Sequence, residues 1–393
     1  MSKGGRTAVA VALALAALVL GTFAWQPIGK SAPPDHVPRA AIAVTDALGA
    51  GDQARFARAL GPRLFVFPAD HGPHPEFRTE WWYYTGNLET ATGRHVGFQL
   101  TFFRVALAPP EPAGSVRRAS AWGADQLYLA HFALTDTAGG RFHGSSRTSR
   151  AALGLAGARA FPFRVWVGDW SAESDAQGAL PVRLRASDAD LAIDLVLESG
   201  KSVALQGDRG WSRKGAGPGN ASYYYSLTRM PARGRVTVRG ESLAVSGLAW
   251  MDREWSTTAL APELAGWDWL ALQLDDGRDV MVYQLRRRDG SADPHSAGTL
   301  VAADGTTRPL ARDEVGLAVL DHWTSPASQV RYPSRWRLAI PGADLRLEIA
   351  PRLADQELIV GTRYWEGAVE VHGSESGRPI SGRGYVELVG YGE

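Results

Sequence analysis

Two carboxylates stand two residues apart in an aromatic stretch, Trp250-Met251-Asp252-Arg253-Glu254-Trp255-Ser256. On a strand, residues i and i+2 share a face, so Asp252 and Glu254 should point the same way with Trp250 beside them. Two acids in such surroundings cannot easily both ionise, and one should hold its proton near neutral pH. A held proton is what hydration of an isolated alkene needs: protonation gives a tertiary carbocation, aromatic faces stabilise it, and water attacks. The structural alternative pairs both acids with arginines in a network, and the residues alone leave both readings open. Glu80 lies near Arg78 and Arg104. A buried Glu–Arg pair is the expectation there, because a lone buried carboxylate is costly; the other reading makes it a second acid facing a cavity. His71 and His74 are linked by a turn-like Gly72-Pro73, without an acidic partner at a telling spacing, so no metal site is expected. Signatures for a nucleophilic serine, a phosphate-binding loop or a dinucleotide fold are missing, and no cofactor is expected.

The elements that must position these groups read as strands. From Phe65 onward, short runs of alternating aromatic or β-branched residues are separated by Gly, Asp-Gly and Pro breaks. Strands at that spacing indicate an all-β protein of sandwich or barrel type. The run Trp81-Trp82-Tyr83-Tyr84 is aromatic on both faces, which suits a lobe interface or a lined cavity. The chain has 14 Trp, and Trp81, Trp82, Tyr83, Trp250, Trp255, Trp267 and Trp269 are the candidate ligand-lining set. There is also an internal echo. Glu80-Trp81-Trp82-Tyr83, a turn, and a strand ending in Arg104 are matched by Gly266-Trp267-Asp268-Trp269, Asp276-Gly277, and a strand ending in Arg286. Two related lobes follow, 65–235 and 236–393.

Composition sets the outer bounds. The 393 residues carry 42 basic and 41 acidic groups, so nothing electrostatic favours nucleic acid. There is no Cys, which removes disulfides and thiolate chemistry and leaves stability to a large core. Lys3 and Arg6 followed by the apolar run Thr7 to Leu20 and Thr22-Phe23-Ala24 read as a signal peptide over 1–24. The expected location is therefore periplasmic or secreted, with inner-membrane tethering if the segment stays uncleaved. Residues 25–64 read as a Pro-containing leader or linker.

Four segments together carry a family resemblance: His74-Pro75-Glu76-Phe77-Arg78-Thr79-Glu80-Trp81-Trp82-Tyr83-Tyr84-Thr85-Gly86, Gly97-Phe98-Gln99-Leu100-Thr101-Phe102-Phe103-Arg104, Trp250 to Ser256, and Gly266-Trp267-Asp268-Trp269. They resemble the AttH-type family of secreted lipocalin-like proteins, related to the carotenoid 1,2-hydratase hydroxyneurosporene synthase. The resemblance runs from about Phe65 to Glu393. It implies two lipocalin-like β-barrel lobes packed together and an elongated apolar ligand, a lipid or isoprenoid. In the hydratase branch it implies addition of water to a double bond, with Asp252 at the proton donor's position and Glu254 tuning it. Tyr223 and Tyr225 fall where that branch has other functional residues. The hydratases have an Asp-His-Asn-Trp-like motif where this chain has Asp252-Arg253-Glu254-Trp255, which turns the expectation away from a true carotenoid. The alternative function is a non-catalytic periplasmic lipid carrier or chaperone serving an inner-membrane export system. Fold alone does not choose between them.

Overall fold

A computed structural model of the protein describes residues 55–110, 120, 122–175, 178–258, 260–261 and 263–392. Residues 1–24, read as a signal peptide, and most of the 25–64 leader lie outside these residues. Thirteen strands build the first sheet: β1 (Thr79–Glu89), β2 (His95–Ala106), β3 (Gln126–Asp136), β4 (Arg141–Arg150), β5 (Ala156–Arg159), β6 (Arg164–Val167), β7 (Trp170–Glu173), β8 (Val182–Asp188), β9 (Leu191–Leu197), β10 (Ala204–Leu205), β11 (Trp211–Arg213), β12 (Ala221–Val238) and β13 (Glu241–Ser256). Ten build the second: β14 (Leu264–Leu274), β15 (Asp279–Arg287), β16 (Ala297–Val301), β17 (Thr307–Leu310), β18 (Gly316–Thr324), β19 (Arg331–Ile340), β20 (Leu345–Pro351), β21 (Glu357–Ile359), β22 (Arg363–Glu375) and β23 (Arg378–Val389).

Every pairing is antiparallel, and the two sheets share one plan. In the first the order is β4-β3-β2-β1-β13-β12-β9-β8-β7-β6-β5; in the second it is β17-β16-β15-β14-β23-β22-β20-β19-β18. Each opens with a meander whose first strand then pairs with the sheet's own last strand, β1 with β13 and β14 with β23. The first sheet curls until β6 lies against β2, β3 and β4. Curling wraps each sheet, as a barrel or half-barrel, around its own core, the lipocalin-like answer to exposed edges. Trp82, Phe98, Trp170 and Trp255 belong to the first core; Trp336, Ile349 and Trp365 belong to the second. Each fully buried indole removes roughly 200 Å² from water, an upper value of ~5 kcal/mol of transfer free energy. Several such side chains supply what a chain without cysteine cannot take from disulfides.

The duplication is thus visible as topology, with β1, β2, β13 and β12 matching β14, β15, β23 and β22. The lobe boundary needs correction. β13, which the sequence reading placed beyond residue 235 in the second lobe, pairs only within the first sheet, and the chain crosses between sheets after Ser256 and before Leu264. Its apolar side completes the first core, which decides its allegiance. The linker also ends earlier than 64. Ala59 is fully buried in the first core, and Ala57 donates its N–H to Glu76 O at 2.9 Å.

The two sheets meet face to face through specific contacts. A Cβ added at Gly97 of β2 would lie 2.7 Å from Ala368 Cβ of β22, so only glycine allows that approach. Asp279 of β15, completely buried, accepts from Lys201 Nζ at 2.8 Å, Arg229 Nη2 at 2.7 Å and Thr228 Oγ1 at 2.8 Å. His131 Nδ1 and Tyr364 Oη are 2.7 Å apart, and Thr135 Oγ1 donates to Gln356 Oε1 at 2.7 Å.

Candidate functional site

Alternation along the strands of both sheets decides which side chains enter the space between them. On β1, Trp81 and Tyr83 face it, while Glu80, Trp82 and Tyr84 turn the other way. On β13, Asp252 and Glu254 line it, as their spacing required, and Trp250 packs in the same cluster. The second sheet answers with Trp267 and Trp269 from β14, Tyr283 and Leu285 from β15, Tyr364 from β22 and Glu387 from β23. Phe103 and Leu260 extend the apolar wall around a cavity of about 130 Å³. One water needs ~10–15 Å³, so this is far more than a hydration pocket.

Asp252 is 3% exposed. Its Oδ1 accepts from Trp250 Nε1 at 2.7 Å and Ser226 Oγ at 2.5 Å; its Oδ2 faces Tyr224 Oη at 2.5 Å. Tyr224 Oη in turn accepts from Trp269 Nε1 at 3.1 Å, joining the acid to the other sheet. Burial pushes Asp252 from 3.8 up to about 7, against the three hydrogen bonds, with help from the charge of Glu254. Glu254 has different company. Ser222 donates to it, and Lys214 Nζ lies 3.4 Å away. That ammonium also stands 3.8 Å from the Tyr283 ring centroid. The structural reading of the pair thus fits Glu254, with a lysine in place of an arginine.

A second acid pair went unread in the sequence. Glu387 and Glu366 are directly opposite on β23 and β22. Burial pushes Glu387 up to about 8, Trp267 donating to it and Asp252 and Glu254 repelling its charge. Burial and then Glu387 push Glu366 well above the usual carboxylate range, and Tyr83 Oη donates to its Oε1. The lobes' shared plan relates the two acids: Asp252 lies opposite Tyr83, and Glu387 lies opposite Trp269, the residue that matches Tyr83. The signal was present as one charge inside the apolar run Val386-Glu387-Leu388-Val389.

Four predicted residues lie elsewhere. Tyr223 and Tyr225 point into the first core, where Tyr223 donates to Gly61 O at 3.0 Å and Tyr225 Oη meets His71 Nδ1 at 2.6 Å. Directly paired residues share a face, and the register sets Tyr224 against Glu254 and Ser226 against Asp252. The even residues of β12 are therefore the site residues, and a one-residue slip reverses the face. Trp82 and Trp255 also leave the cavity. Trp82 donates to His71 O at 2.8 Å, Trp255 stacks on His74 at 3.7 Å, and Arg253 lies between the two indoles. Glu80 is completely buried there and paired with Arg104 and Arg253, which hold it well below the carboxylate range against its burial. It is a structural ion pair and does not face the cavity. His74 joins this network through Nδ1, 3.1 Å from Arg253 Nη2, while its Nε2 lies 3.0 Å from Asp70 Oδ1. Among the described residues, no group of three or more metal-type ligands comes together.

The same architecture recurs in solved structures. A crystal structure assigned to AttH from Nitrosomonas europaea is 38% identical, with a TM-score of 0.74, covering 86% of this chain and all of that one. Kievitone hydratase from Nectria haematococca is 17% identical at a TM-score of 0.63, covering 86% of this chain and 96% of that one. CghA with Sch210972 is 16% identical at 0.50, with 86% and 97% covered. At those two lower identities the likeness is one of fold. A comparison with curated protein sequences gives no match. The AttH-like family model matches residues 58–391, from the docked tail of the leader to the end of the second sheet, and the chain belongs to the AttH-like family.

Proposed function

We propose that the cavity binds an elongated apolar molecule, a lipid or isoprenoid, and that Asp252 protonates an alkene within it. The observation that carries this is a carboxyl group buried against indoles and phenols, without an ion pair among the described residues and pushed up to about 7. In its acid form Asp252 carries the proton on Oδ2, because Oδ1 already accepts from Trp250 and Ser226. Oδ2–H then donates to Tyr224 Oη, and the phenol's own proton is released toward the ligand. Transfer adds that proton to the less substituted alkene carbon, while Asp252 re-protonates Tyr224 and becomes the carboxylate. The tertiary cation left behind faces Trp81, Trp267 and Trp269, whose π-faces favour positive charge. Water adds to it and returns one proton to Asp252, so the balance is alkene plus water to alcohol.

A hydratase is among the proteins of this fold, which supports the scaffold's compatibility with the reaction. The test is incubation with an isoprenoid alkene in ¹⁸O-labelled water, followed by mass spectrometry. Labelled alcohol from the natural protein and none from Asp252→Asn is the expected result; equal product from both would remove Asp252 from the mechanism. The apolar run Thr7 to Leu20 supports an exported protein, and cell fractionation checks that placement.

A further inference from the structure

Elsewhere in this fold, most buried carboxylates are given permanent cations, Glu357 being an exception that accepts from Ser325, Ser328 and Tyr332. Glu80 holds Arg104 and Arg253, Asp268 holds Arg286, and Asp279 holds Lys201 and Arg229. Around the cavity the habit stops. Asp252 accepts only from a phenol, a hydroxyl and an indole. Glu366 and Glu387 face each other with no ion pair among the described residues, and Glu366 Oε2 is fully buried without a hydrogen-bond partner. Lys214 is taken by Glu254. The missing countercharge has a prepared place, since ring faces from both sheets surround these acids and aliphatic side chains continue the wall.

We propose that the cavity is a receptor for an alkylammonium amphiphile, its charged head between Asp252 and Glu387 and its chain along Phe103, Leu260 and Leu285. This rests on the reading of the cavity as a ligand site and adds the charge of what it holds best. A carboxyl that lacks a cation keeps a proton instead, so a permanent cation must displace protons as it binds. Facing these acids are Glu254 and Lys214 from the first sheet's side, Tyr83 from β1, Tyr224 from β12, Tyr283 from β15, Tyr364 from β22 and Tyr385 from β23. Burial pushes Tyr83, Tyr224, Tyr364 and Tyr385 well above 10, so their phenols stay neutral across the range that matters. The ammonium is also a stable stand-in for the cation that alkene protonation creates.

The full-length protein is titrated with decyltrimethylammonium, 1-decanol and decyl sulfate below their micelle concentrations, read by tryptophan fluorescence. Near about pH 8 the ammonium should bind about tenfold tighter than the alcohol, and the sulfate weakest. Near about pH 6 that advantage should fall by about tenfold or more, because acids must now be deprotonated. Glu387→Gln should weaken ammonium binding about tenfold more than alcohol binding, and Asp252→Asn gives the same reading should the first variant misfold. Equal binding of ammonium and alcohol, preference for the sulfate, or ammonium affinity indifferent to pH each overturns the proposal. Binding of the alcohol without preference for the ammonium sinks this inference alone, whereas failure of all three probes sinks the ligand cavity too.

Discussion

Asp252→Asn should stabilise the folded protein at neutral pH, by an amount that the acid's surroundings fix. The carboxyl is pushed from 3.8 to about 7 by burial, so between those values the folded state binds a proton that the unfolded chain has released. Stability attached to this group is therefore complete below about pH 4 and is lost as pH rises through about 7. Each pH unit in that window costs the folded state about 1.4 kcal/mol, or roughly 4 kcal/mol across it. Asparagine keeps the shape and cannot ionise. Its Oδ1 still accepts from Trp250 and Ser226, and its amide can donate to Tyr224. Urea unfolding of both proteins from about pH 5 to about pH 8 measures the difference. The variant should gain on the natural protein by about 1.4 kcal/mol per pH unit until about pH 7, then no further. A difference that does not move with pH, or that moves the other way, would refute the claim that Asp252 is buried without a countercharge.

Three other perturbations address separate parts of the account. Glu80→Gln leaves Arg104 and Arg253 buried without their carboxylate and should cost about 3–5 kcal/mol in denaturant unfolding at neutral pH. Gly97→Ala drives a methyl group toward Ala368 across the sheet interface and should cost about 1–3 kcal/mol, seen as a lower melting temperature. Tyr224→Phe removes a donor that favours the Asp252 carboxylate, so the carboxyl should titrate still higher when followed by ¹³C NMR. Tyr225→Phe, facing the other core, should leave that titration in place.

Much of this was legible because β-strands alternate. The double aromatic face of Trp81 to Tyr84 marked a strand buried on both sides, and β1 does divide a core from a cavity. The spacing of Asp252 and Glu254 put both on one wall for the same reason. Glu80 read correctly as an ion pair, although Arg253, its second partner, comes from a strand distant in sequence. What failed was parity between strands. Counting back from Asp252 gives the neighbourhood of β12 but not its face, since only cross-strand register tells Tyr224 from Tyr223 and Tyr225. The lobe boundary failed through connectivity: β13 follows a plausible break but pairs backward with β1. Glu387 stayed hidden because its meaning comes from the other lobe, where the duplicated plan sets it as the counterpart of Asp252.

The central claim is an apolar ligand held between the two sheets beside a protonatable Asp252. Native mass spectrometry of the protein purified from its own host, followed by extraction of whatever it carries, meets that claim most directly. A lipid-like molecule bound one per chain is the expected result. A chain that emerges bare under conditions gentle enough to keep it folded would contradict it.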